Sequence, residues 1–226
     1  MKKICLFTLK LLHYKIDLAN IPTEKKYVLV FAPHTSWTDF IVGKMALTAM
    51  DVKAMFLIKK EMFFFPLGAY LRYIGGYPVN RKRAKGLTDT IADFIKEKDE
   101  VIFLIAPEGT RRCIETWKRG FYYIAQKAEV PIALAYLDYH DRKGGIGPVF
   151  YPTGNYEADL QEIQKFYCGM EGKKKGRFNL EKETRHSALD AESPDGGGLR
   201  VKPAMTVEKY GIAGLLNSIQ YRNDEG

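Results

Sequence analysis

"YVLVFAPHTSWTDFIVGKMALTAMDVKAMFLI", residues 27–58, decides how this chain folds. Residues 27–32 form an unbroken apolar run, rich in β-branched and aromatic side chains, that Pro33 brings to a stop. Such a run predicts a strand buried on both faces. Residues 38–50 predict a helix, with Thr38 or Asp39 placed to cap its N-terminus. A second apolar run opens at Val52 and predicts another strand. Strand, helix and strand in succession predict a parallel pair joined by a helical crossover.

Outward from this unit the alternation repeats. Residues 84–98 carry Leu87, Ile91, Phe94 and Ile95 at helical spacing. "EVIFLIAPEG", residues 100–109, is a second continuous strand stopped by a proline, Pro107. Residues 118–128 read as a helix and "VPIALAYLDY", residues 130–139, as a strand. Together these elements predict an α/β domain, a mainly parallel sheet with helices on both faces. The aromatic stretch "EMFFFPLGAYLRYIGGYPVNR", residues 61–81, ends at the turn signal Gly75-Gly76. The first residues, "MKKICLFTLKLLHYKID", have helical periodicity, but Lys10 interrupts the apolar run and no small-residue cleavage site follows. The segment is too short and too charged to span a bilayer. Two readings stay open for it: an amphipathic helix packed on the core, or one lying on a membrane surface.

From about Tyr167 the texture changes. "GKKKGRFNLEKETRHSALDAESPDGGGLRVKPAMT", residues 172–206, has little apolar content and no sustained periodicity. Composition of this kind predicts a tail of low order. The expected organisation is a domain over residues 1–168 and a disordered or accessory tail over 169–226, with one short helix within Val207–Tyr221.

The chain has 226 residues and a formal net charge of +8. A basic balance favours anionic partners. The basic residues cluster at the ends of motifs and do not interleave with aromatics along a stripe, so nucleic acid is not expected as a partner. Three cysteines, Cys5, Cys113 and Cys168, lie far apart without metal-ligand spacing, so no metal site is expected and reduced thiols of a cytoplasmic protein are.

The chemistry gathers where the two proline-stopped strands end. The first gives His34, one of only four histidines, with Asp39 five positions on. A histidine there can serve as a general base, and a carboxylate on its far ring nitrogen would fix the tautomer and stabilise the imidazolium. The bland alternative is a helix-capping Asp39 beside an unrelated His34. The second strand gives Glu108, Gly109, Thr110, Arg111 and Arg112. Gly109 permits close backbone approach, and the arginines supply planar donors for a phosphate. Here the bland alternative pairs Glu108 with Arg111 inside a turn. "GGYPVNRKR" adds a third basic terminus at Arg81, Lys82 and Arg83. In an open parallel sheet, ligands collect outside the carboxyl ends of the strands. Both strand ends are therefore expected on one crevice.

In their order these segments resemble the glycerophospholipid acyltransferases, the lysophosphatidic acid acyltransferase group. "HTSWTD" is similar to that family's H-x4-D block, "GGYPVNR" to its glycine-rich block ending in arginine, "APEGTR" to its P-E-G-T-R block, and "VPIALAYL" to its Val-Pro-led strand. The resemblance covers about Tyr27 to Asp138. Departures are Pro33 where asparagine is frequent, Arg112 where serine is, and Leu134 in place of a second proline.

The resemblance implies an acyltransferase-like fold and an O-acyltransferase of membrane phospholipid biosynthesis. It implies His34 and Asp39 as the catalytic pair. It implies Arg81, Glu108, Gly109, Thr110 and Arg111 as acceptor- and phosphate-binding residues. It implies an acyl thioester donor, acyl-CoA or acyl carrier protein, with no metal or other cofactor. The implied acceptor is a lysophospholipid, lysophosphatidic acid first; another lyso-lipid, such as an acylated amino-acid lipid, and a non-catalytic lipid binder on the same fold are the alternatives. Attachment to the membrane surface follows, on the inner face of the cell membrane. The aromatic residues Phe63–Tyr73 are expected to line an acyl tunnel or touch lipid, or else to be core.

Overall fold

The computed structural model describes residues 1–79, 86–178 and 180. These residues lie in one compact unit. Arg81, Lys82 and Arg83, the chain from residue 181 onward and the helix expected within Val207–Tyr221 fall outside the described residues.

The apolar run over residues 27–32 lies in strand β2, Lys26–Ala32, preceded by helix α1, Lys2–Leu11, and the two-residue strand β1, Lys15–Ile16. Then come α2 (Thr38–Ala49), β3 (Ala54–Lys59), a short 3-10 helix (Lys60–Met62), α3 (Leu67–Tyr73) and β4 (Gly76–Val79). The chain continues through α4 (Leu87–Glu97), β5 (Val101–Ile105), α5 (Gly120–Ala128), β6 (Ile132–Asp138), β7 (Lys143–Phe150) and α6 (Tyr156–Tyr167).

Among the described residues, seven strands form one sheet in the order β1-β7-β6-β2-β5-β3-β4. The run β6-β2-β5-β3-β4 is parallel throughout. β7 pairs antiparallel with β6, and β1 joins β7 in parallel. Sequence reasoning missed β7, whose "KGGIGPVF" lacks the apolar run of a doubly covered strand.

β2 is buried from Tyr27 to Ala32 because both of its faces are covered. Alternate residues point to opposite faces. Val28, Val30 and Ala32 join the core beneath α4, α5 and α6, with Phe103, Ile91 and Phe121. Leu29 and Phe31 join the core beneath α2, with Val42, Leu47 and Leu137. Burial of each such side chain contributes roughly 1.5–3 kcal/mol, which is why this run tolerates no polar residue.

β2 and β5 are neighbours, but their crossovers diverge. The chain leaves β2 through α2 toward β3, and leaves β5 through α5 toward β6 on the other side of β2. That divergence opens a crevice at the carboxyl ends of the two strands. Tyr167, fully buried at the end of α6, braces the same region: its hydroxyl donates to the carbonyls of Val30 on β2 and Ala135 on β6, each at 3.1 Å.

Helix α1 packs on α2 through buried Leu9, while Ile4, Phe7, Leu11 and Leu12 stay exposed. Segment 169–178, assigned to the tail by its composition, packs against the crevice. Tyr139 donates its N–H to the Glu171 carbonyl at 2.9 Å. Glu171 donates its own to Asp138 Oδ1 at 3.1 Å, and Lys174 to Thr35 Oγ1 at 3.2 Å.

Candidate active site

His34 and Glu108 each leave a strand end two or three residues past its last paired residue, and the parallel register of β2 and β5 sets them side by side. The His34 N–H donates to both Glu108 carboxylate oxygens, each 3.0 Å away. Glu108 is only 2% exposed. Burial pushes its carboxyl up to about 7, against the pull of the His34 amide and with added repulsion from Asp39. Both oxygens therefore serve the His34 backbone, not Arg111, and Glu108 does not line the cavity below.

Asp39 does not cap α2. The helix starts at Thr38, its N-cap Trp37 makes no side-chain cap, and the Asp39 carboxylate turns back toward the preceding loop. Its Oδ2 accepts the N–H groups of Thr35 and Ser36, both at 2.7 Å, and its Oδ1 accepts the Tyr139 hydroxyl at 2.7 Å. Three such bonds compensate a fully buried carboxylate for its lost water.

The His34 imidazole is 26% exposed and turns Nδ1 toward Asp39 Oδ2, at 3.6 Å. That separation is an ion-pair distance but too long for a hydrogen bond, and Nδ1 is sealed from solvent with no hydrogen-bond partner among the described residues. The ring's other nitrogen, Nε2, is left for an incoming group. Burial lowers the His34 pKa below its ordinary 6.5, Asp39 opposes the shift and Arg111 adds to it. The imidazole is therefore neutral near pH 7 and able to accept a proton.

His34 and Asp39 lie on a cavity of about 820 Å³ that reaches both faces of the sheet. Phe31, Phe40, Leu47 and Phe56 line it on the α2 side, and Leu57, Ile91, Ile105 and Phe121 on the α4–α5 side. Gly109, Thr110 and Arg111 also line it, as does Lys118. Gly109 has φ 64°, and a Cβ there would stand 2.7 Å from Lys118 Cε, so the glycine admits both the left-handed turn and the lysine lying over it. Thr110 Oγ1 accepts the Arg112 N–H at 3.4 Å. Arg111 is exposed, and its carbonyl accepts from Arg177 Nη1 at 3.3 Å.

The structure thus gathers His34, Asp39, Gly109, Thr110 and Arg111 on one cavity, with Glu108 behind them; Arg81 lies outside the described residues. None of Phe63–Tyr73 lines the cavity, and Phe64, Phe65, Tyr70 and Tyr73 are exposed, not core. Sequence reasoning missed Tyr139, Lys118 and the 171–177 segment. Tyr139 had one signal: it follows β6 directly, at the same sheet end as His34.

The family model described as Acyltransferase matches residues 15–136, more than half of the 226-residue chain. The chain belongs to the acyltransferase family. No curated protein matches the sequence. In fold, this acyltransferase is similar to the crystal structure of the 1-acyl-sn-glycerophosphate (LPA) acyltransferase, PlsC, from Thermotoga maritima. The TM-score is 0.55 and the identity 19%, over 86% of this chain and 80% of that one. At that identity the likeness speaks for the fold. The matched stretch of the acyltransferase model includes His34, Asp39, Glu108 and Arg111, whereas Tyr139 and residues 171–177 lie beyond it.

Proposed function

We propose that this acyltransferase moves a fatty acyl group from a thioester donor to the free hydroxyl of a lysophospholipid, with lysophosphatidic acid as the first acceptor to test. One observation carries the reading: a neutral imidazole on a large apolar cavity, backed by a buried carboxylate at 3.6 Å. In this mechanism His34 Nε2 takes the proton of the acceptor hydroxyl as that oxygen attacks the thioester carbonyl. Negative charge passes to the carbonyl oxygen. Collapse of this intermediate breaks the carbon–sulfur bond, and the leaving thiolate recovers the proton from His34. Asp39 stabilises the imidazolium between the two transfers. Apo sites commonly hold such pairs slightly long and tighten them around substrate, so 3.6 Å suits the role.

The amides of His34, Thr35 and Ser36 are all committed to Glu108 and Asp39. Donors for the oxyanion therefore come from elsewhere in the cavity. Arg111 is assigned to the acceptor phosphate, and the apolar lining to hydrocarbon chains.

A membrane-surface location on the inner face fits this reading. No described helix is long and apolar enough to cross a membrane. Large apolar side chains are nonetheless exposed on α1, at Trp37, Phe40 and Ile41, and at Phe64 and Phe65. Lys2, Lys3 and Lys10 accompany those of α1. Exposed apolar groups with basic neighbours suit an anionic lipid surface.

The test offers the purified protein a panel of lyso-acceptors, with and without phosphate, and both acyl-CoA and acyl carrier protein donors, and follows free thiol release. Acceptor-dependent thiol release that His34→Ala abolishes is the expected result. Release by wild type and His34→Ala alike would overturn the mechanism.

A further inference from the structure

We propose that Tyr139 is a positioning residue for the His34–Asp39 pair, holding the carboxylate through Oδ1 so that Oδ2 faces the imidazole. The inference rests on the acyl-transfer reading above but is drawn from contacts that lie beyond the matched family segment.

Asp39 is the first helical acid of α2 and can turn about its side-chain bonds. Two contacts on Oδ2, from Thr35 and Ser36, come from its own loop and move with it. The contact on Oδ1 is different. Tyr139 lies a hundred residues away, just past β6, and its hydroxyl reaches Oδ1 at 2.7 Å. It is the anchor that ties the carboxylate to the sheet. Without it, the carboxylate is free to rotate about the Oδ2 side, and the 3.6 Å approach to His34 Nδ1 is no longer fixed.

Tyr139 is itself held on both sides. Its ring meets Tyr14 edge to face with centroids 5.9 Å apart, and its backbone N–H is bonded to Glu171. Residues 171–174 then run on to Thr35, the donor next to His34. Gly172 is needed there, because a Cβ would stand 2.7 Å from Thr35 Oγ1. One strap thus fixes two of the three donors to Asp39.

Among the described residues, the charged and titratable groups around the pair are Asp39 and Arg111 facing His34, Glu108 on its backbone, and Asp39 and Tyr14 facing Tyr139, which also meets the Thr38 hydroxyl. Asp39 at this distance pulls the His34 titration upward against burial. Removing the Tyr139 hydroxyl lets Oδ2 move off the imidazole, so that pull weakens and the His34 titration moves further down.

The experiment compares wild type with Tyr139→Phe, which keeps the half-buried ring and removes only the oxygen. Two readouts are taken. The first is the imidazole proton titration by NMR, with the His34 resonance assigned by its absence in His34→Ala. The second is steady-state kinetics with donor and acceptor varied separately. The expected result is a downward shift of the His34 midpoint, with kcat down about tenfold and both KM values held, the size of a lost charge-assisted bond. An unmoved or raised midpoint, or an unchanged kcat, overturns the assignment. A wild-type protein inactive with every donor and acceptor overturns the acyl-transfer reading instead, and the titration alone then decides whether Tyr139 positions the pair.

Discussion

Glu108→Gln offers a measurement whose size follows from the site. The Glu108 carboxyl is 2% exposed, and burial lifts it from its ordinary 4.5 to about 7. The folded protein therefore holds this proton more tightly than the unfolded chain does. Stability from this group is complete below the unfolded value and is lost as pH rises through the folded one. Two and a half pH units at about 1.4 kcal/mol each come to roughly 3 kcal/mol, lost between about pH 4.5 and pH 8. Glutamine does not titrate, and its Oε1 still accepts the His34 N–H. The depressed pKa of His34 acts with the opposite sign but is present in both proteins, so it drops out of the comparison. Urea unfolding of wild type and Glu108→Gln at several pH values gives the difference directly. The variant should gain on wild type by roughly 3 kcal/mol across the window, and most steeply below pH 7. Parallel stability curves would refute the argument, since they would mean that Glu108 titrates as a solvated carboxyl.

His34→Ala should lower acyl transfer by about 10²–10⁴-fold with little change in melting temperature, checked by thiol release. Because burial lowers its pKa, the acid limb of wild-type kcat/KM should fall below the ordinary 6.5, measured as a pH–rate profile. Arg111→Ala should raise acceptor KM by about ten- to a hundredfold for phosphate-bearing acceptors only, with Arg111→Lys recovering part. Truncation after Met170 removes the bonds to Asp138, Tyr139 and Thr35 and should abolish turnover, whereas truncation after Leu180 should preserve it; the activity of both truncated proteins decides.

Much of this was legible because parallel strands covered on both faces must be apolar along their whole length. Tyr27–Ala32 and Val101–Ile105 declare themselves for that reason, and the prolines after them mark where the crevice begins. His34, Asp39 and the turn after Pro107 were legible as chemistry placed at those ends. What was not legible depends on side-chain direction. Nothing in the spacing says that Asp39 turns away from its own helix, or that Glu108 spends both oxygens on a backbone amide rather than on Arg111. Residues 171–177 look like a solvated basic run because their contacts are made mainly by backbone groups, which composition cannot register.

The loop after β2 carries a consequence for how the molecule breathes. Irregular loops exchange their amide hydrogens quickly, since water reaches them without unfolding. Here three successive loop amides, His34, Thr35 and Ser36, point into carboxylates that water scarcely touches. Their exchange waits on the opening of contacts that run from residue 34 to residue 174. In a deuterium time course this loop belongs with the central strands, among the last parts of the domain to open.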